Sequence, residues 1–139
     1  MTVWSSPLQR ARLTCELAGY EPSRIDDDLL EWNYGAYEGR TTPEIQLDVP
    51  GWSVWESPIV DGESLEQVGA RVDRLLARLA DVQGDIGLFA HGHILRILAA
   101  RWIGLAPIGG RLLALDTATI SVLGFERQTR VVRQWNVRP

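Results

Sequence analysis

The chain has 139 residues, 45% apolar and 23% charged, a balance that fits one globular domain and excludes collagen-like, low-complexity and strongly charged disordered classes. All 14 basic residues are arginines and Cys15 is the one cysteine, which excludes Schiff-base, phosphate-loop and kinase-strand lysines, intrachain disulfides and cysteine-rich zinc sites. The net charge of −4 is uneven, with 13 acids against two arginines in residues 16–66 and five acids against ten arginines in residues 67–139; neither half is a nucleic-acid surface, although a few inward arginines can hold one small anion.

Met1 leads directly into Val3, Trp4 and Ser5, with no basic start or long apolar stretch, so no secretory signal and no membrane span are expected and the expected location is cytoplasmic. Met1 to Ser5 reads as a strand stub. Ser6-Pro7 followed by Leu8, Ala11, Cys15 and Ala18 predicts a helix with a serine cap, ending before Gly19. Residues 20–63 are rich in Gly and Pro and have no long period, which predicts loops with one short helix near Pro43 to Leu47. So long an irregular segment is usually a lid or a substrate-binding loop.

Ser64 and Gln67 have capping-box spacing, and Leu65, Val68, Val72, Leu75, Leu76 and Leu79 share one face, predicting a helix that ends near Asp81 to Gly84. Ile86 to Ala90 then reads as a strand, His91-Gly92-His93 as a tight turn, and Ile94 to Ile103 as a helix. After a Gly109-Gly110 turn, Ile120 to Phe125 and Val131 to Val137 predict a hairpin joined through Glu126 to Thr129. This alternation predicts an α/β/α sandwich around a mostly parallel sheet, with its ligand site beyond the strands' carboxyl ends. Trp4 to Arg10 and Phe89 to Gly92 occupy such positions.

The only two histidines, His91 and His93, lie at the second of these positions. Gly92 permits close approach to the backbone, and the following helix points its free N–H groups and positive dipole back at the turn, an environment for an anion. Arg10 can reach the same oxyanion with a bidentate guanidinium. Glu31 follows Asp26-Asp27-Asp28, whose carboxylates would disfavour its ionisation and make it a proton-donor candidate. Each residue also has an ordinary reading: Arg10 paired with an acid such as Glu16, Glu31 solvated, His91 a satisfied imidazole. A metal site on His91 and His93 lacks a third ligand, and the Gly-x-Ser-x-Gly elbow of a serine hydrolase is missing.

Taken in order, Ser5 to Thr14, Leu30-Glu31-Trp32-Asn33-Tyr34-Gly35-Ala36-Tyr37-Glu38-Gly39, Gly62-Glu63-Ser64 and His91-Gly92 resemble the histidine phosphatase superfamily, the phosphoglycerate-mutase-like proteins. The resemblance runs from residue 3 to about residue 137, and Trp52 and Trp55 ahead of Gly62 look like its acid-phosphatase branch. It implies that Arg10, His91 and Gly92 bind phosphate, that Glu31 and His91 are catalytic, and that Trp32, Tyr34, Tyr37 and His93 line the substrate pocket. No cofactor and no metal are implied. The implied partners are a small phosphorylated substrate or inorganic phosphate, without nucleic acid or membrane, and a homodimer is compatible.

The resemblance also implies a nucleophilic histidine in an Arg-His-Gly motif at the end of a first strand, and this sequence holds no such motif. A single domain lacking that strand, truncated at its N-terminus and with impaired turnover, is therefore the expectation. Hydrolysis is expected over mutase-type transfer, because the long segment offers only Arg24 and Arg40 for a second phosphate. A non-catalytic phosphate-binding protein is the other reading.

Overall fold

Three short parallel strands carry the framework in the computed structural model, which describes residues 1–139. They are β1 (Thr2–Ser5), β2 (Arg24–Ile25) and β3 (Ile86–Phe89), in the order β2-β1-β3. β1 and β3 run in register from Thr2 opposite Ile86 to Ser5 opposite Phe89. The next residues, Ser6 and Ala90-His91, therefore leave the sheet at one level and on one end.

The period-two alternation of β1 divides the protein into layers. Trp4 joins the main core with Val68, Val72 and Leu75 of α3 (Leu65–Leu79) and Ile94, Ile97 and Leu98 of α4 (Gly92–Trp102). Val3 points the other way, and there α1 (Gln9–Leu17) buries Ala11 and Cys15. Helices thus cover both faces of the parallel sheet, as the α/β/α reading requires.

α3 forms where its pattern predicts, with reciprocal Ser64 and Gln67 capping bonds at 3.1 and 2.8 Å. Val68, Val72 and Leu75 are fully buried, each such side chain contributing about 1.5–3 kcal/mol. Leu75→Ala would cost about 3 kcal/mol through the cavity it leaves.

Three expectations need correction. Ser6 does not cap α1: the helix starts at Gln9, its N-cap Leu8 makes no side-chain capping bond, and the Ser6 hydroxyl is used elsewhere. Residues 20–63 contain β2 as well as α2 (Thr42–Asp48) and two 3₁₀ turns; β2 has two exposed residues and no alternation to betray it. The Gly109-Gly110 turn is part of a longer 3₁₀ segment, Pro107–Leu112.

The predicted hairpin, β4 (Ile120–Glu126) and β5 (Thr129–Val137), is antiparallel and forms a sheet of its own. Trp102 fastens it to α4, its indole N–H lying 3.2 Å from both the Gly124 and Val131 carbonyl oxygens while Phe125 meets its ring edge-on. No helix is long and apolar enough to cross a membrane.

Candidate active site

His91 stands at the carboxyl end of β3 as the N-cap residue of α4, with extended backbone angles, and is buried. The β1–β3 register brings it to Ser6, whose Oγ lies 2.8 Å from His91 Nε2. Ser6 is fully buried, and its Oγ also accepts the Leu8 backbone N–H at 3.3 Å. Burial lowers the His91 pKa below 6.5; the Arg10 charge lowers it further and Glu31 opposes both.

Glu31 lies across the mouth of the same turn. Its carboxylate accepts the backbone N–H groups of Trp32 at 2.9 Å, Ile94 at 3.0 Å and His93 at 3.1 Å. Two of the N–H groups expected to await an anion at the start of α4, those of His93 and Ile94, are thus taken by Glu31. Of the three aspartates that precede Glu31, two are engaged by arginines: Asp26 is paired with Arg24 and Arg78, and Asp28 with Arg74 and Arg78. Their charges are neutralised locally rather than directed at Glu31.

A buried arginine holds the Glu31 loop in place. Arg71 donates to the carbonyl oxygens of Asp28 at 2.9 Å and Leu30 at 2.7 Å, and grips the Glu63 carboxylate through Nε at 3.0 Å and Nη2 at 2.9 Å. Glu63 in turn accepts the Asn33 N–H on its side chain and the Trp32 indole N–H on its carbonyl. Sequence reasoning missed this clamp, although Arg71 sits on the apolar stripe of α3, where a charge requires a buried partner.

The aromatic residues gather on His93. Trp32, Tyr34 and Trp55 meet its ring at steep angles, with centroids 6.0, 5.7 and 5.3 Å away, and the Tyr34 hydroxyl is hydrogen-bonded to its Nδ1. Arg96 lies over Trp55 at 5.0 Å. Burial lowers the His93 pKa and Arg96 lowers it further, against Glu31. Burial with Glu31 and Glu38 raises that of Tyr34, so its hydroxyl keeps its proton. Tyr37 does not join this group; it packs on Trp52 at 5.1 Å. Trp55 was readable from the sequence with Trp32 and Tyr34 as a lining of the substrate mouth, whereas Arg96 was not singled out.

Arg10 is exposed, on the first turn of α1, and forms no ion pair with Glu16 or any other acid. Its charge acts on both His91 and Tyr34. Gly92 is exposed, and a Cβ there would meet nothing within 4 Å, so open space lies over its backbone. An unpaired guanidinium, a neutral imidazole and a carboxylate thus converge on one open turn. That set can bind an oxyanion and exchange a proton beside it.

Comparison with known proteins gives matches along nearly the whole chain. The family described as the histidine phosphatase superfamily (branch 1) matches residues 1–138. The chain is 38% identical over 127 residues to an acid phosphatase of Mycobacterium tuberculosis, covering 90% of this chain and 63% of that protein. It is 37% identical to a sedoheptulose 1,7-bisphosphatase of Saccharomyces cerevisiae, covering 74% of this chain and 48% of the relative. The solved structure of a Mycobacterium tuberculosis open reading frame product superimposes with a TM-score of 0.93 at 36% identity, over 99% of this chain and 72% of that one. A mycobacterial glucosyl-3-phosphoglycerate phosphatase solved with inorganic phosphate gives 0.83 at 26% identity, over 99% and 77%. The chain therefore spans between about half and three quarters of the length of these proteins.

Proposed function

Because the chain belongs to the histidine phosphatase superfamily, we propose that it carries the phosphate-handling and proton-donating parts of a phosphomonoesterase that works through a phosphohistidine. The observation that carries this reading is the meeting of Glu31 with the first turn of α4, two residues from His91, beside an arginine without an acid partner. The substrate is a small phosphorylated molecule in the cytoplasm.

In the first step a histidine nitrogen attacks phosphorus, the P–O bond to the leaving group breaks, and Glu31 gives that oxygen its proton. The backbone N–H groups of Trp32, His93 and Ile94 then hold the carboxylate left behind. In the second step water attacks the phosphohistidine and returns a proton to Glu31. Arg10 and His91 hold the charge on the phosphoryl oxygens. The sequence has no Arg-His-Gly turn, so the attacking histidine is assigned outside these 139 residues, and this chain by itself binds phosphate with impaired turnover.

Hydrolysis is favoured over mutase-type transfer because both arginines of the long segment are engaged. Arg24 pairs with Asp26 and lies over Trp4, and Arg40 pairs with Asp48. The test is p-nitrophenyl phosphate hydrolysis by this chain, with phosphate binding followed by calorimetry. Binding with little or no turnover supports the proposal. Turnover abolished by His91→Ala or His93→Ala would move the nucleophile into this chain. Absence of both binding and turnover would defeat the reading.

A further inference from the structure

We infer that Ser6 is a positioning residue that fixes the tautomer of His91, holding Nε2 as the acceptor and leaving the proton on Nδ1, where the imidazole serves as a neutral donor to a bound oxyanion.

The argument is an inventory of one hydroxyl. Ser6 Oγ has one proton and two lone pairs. One lone pair takes the Leu8 N–H at 3.3 Å, and the neighbouring serine does not compete, since Ser5 Oγ donates to the Ser6 carbonyl at 2.9 Å. Both serines are 0% exposed, so no bulk water replaces a missing partner. The single acceptor within hydrogen-bond distance of the Ser6 hydroxyl is His91 Nε2, at 2.8 Å. Were Nε2 to carry the proton, the hydroxyl would accept twice and its own proton would be buried without an acceptor, at the full desolvation penalty of that group. Which ring nitrogen is protonated is set by the hydrogen bond that the other one makes.

Nδ1 makes no hydrogen bond with the protein, while Arg10 and Glu31 are the charges that act on the ring. A neutral ring is the form that burial favours there, and in its Nε2–H tautomer Nδ1 would present a lone pair to an oxyanion. Ser6 thus decides whether His91 attracts or repels it. The phosphate arm of the test rests on the proposed function; the tautomer arm does not.

The experiment is ¹⁵N NMR of the imidazole rings of this chain above the ordinary histidine range, with His93→Gln identifying the His91 signals. The expected spectrum has Nδ1 protonated and Nε2 unprotonated. Ser6→Ala should move His91 toward the Nε2–H form and weaken inorganic phosphate binding about tenfold, whereas Ser6→Thr should retain the tautomer. An Nε2–H spectrum in the unaltered chain overturns the inference without any Ser6 variant, even if Ser6→Ala fails to fold. So does a Ser6→Ala protein that keeps the Nδ1–H form. The expected tautomer together with no phosphate binding would uphold the role of Ser6 and defeat the phosphate reading of the site.

Discussion

The Glu31 carboxylate and the backbone N–H of Ile94, 63 positions apart in sequence, are joined by a 3.0 Å hydrogen bond. A negative side chain therefore sits where the positive end of α4 would otherwise receive a ligand oxyanion. Glu31→Gln removes that charge while keeping one oxygen acceptor. It should bind phosphate more tightly, by about fivefold, and lose about 1 kcal/mol of stability as one N–H loses its acceptor. Calorimetry and urea denaturation measure the two effects, and weaker phosphate binding would show that Glu31 is not beside the anion.

Arg10→Ala should act in the opposite direction on binding. The guanidinium is exposed and unpaired, so its removal should change stability by less than about 0.5 kcal/mol. Phosphate or vanadate affinity should nevertheless drop at least about tenfold, because a charge-assisted bidentate contact is lost. Unchanged affinity would remove Arg10 from the site.

Arg71 is a matter of folding before chemistry. Truncating one partner of a buried ion pair costs about 3–5 kcal/mol, and here it also releases two carbonyl oxygens of the Glu31 loop. Arg71→Met should lower the melting temperature sharply, and adding Glu63→Gln should recover part of the loss. Equal destabilisation by the single and double variants would argue against a coupled pair.

Acid should destabilise the fold in two stages. His91 and His93 lie below their ordinary 6.5, mainly through burial, so the unfolded chain binds protons before the folded one does as pH falls. The stability linked to their neutral rings is fully present above 6.5 and is lost as pH falls toward the lowered folded values. Burial pushes Asp28 up, but hydrogen bonds from Arg78 and Arg74 outweigh it and bring the net pKa below 3.8. Its contribution is present above 3.8 and lost below. The urea midpoint should decline as pH falls below about 6.5 and again under about 4; a rise on acidification through the first of these steps would contradict the histidine environments.

Trp102→Phe should loosen the hairpin without disturbing the site. It deletes the indole N–H shared by Gly124 and Val131 while retaining an aromatic ring against Phe125. Hydrogen exchange should quicken in β4 and β5 and stay unchanged in β1 and β3. Uniform quickening would mean that the hairpin and the parallel sheet unfold together.

Periodic segments were legible because burial imposes periodicity. The apolar face of α3, the strand before His91 and the closing hairpin follow from spacing alone. β2 was not, since a two-residue exposed edge strand is specified by its partner β1 rather than by its own side chains. The sequence named Arg10, Glu31 and His91 as candidates but not their relations: that Glu31 meets the N–H groups of His93 and Ile94 depends on contacts more than 60 positions apart. Ser6 was misassigned for a similar reason. A serine before a proline resembles a helix cap, and its actual partner is 85 positions away.

The register between Ser5 and Phe89 sets a limit on how independently the site can move. Ser6 and His91 hang from the ends of two four-residue strands and have no domain hinge of their own, so their alignment lasts only as long as those strands remain paired. Fluctuations that open the sheet and fluctuations that disarm the pocket are then one event with one lifetime. An oxyanion captured at His91 would act as a clasp on the backbone amides of Thr2 to Ser5, and its affinity could be read from how slowly they trade their protons with solvent.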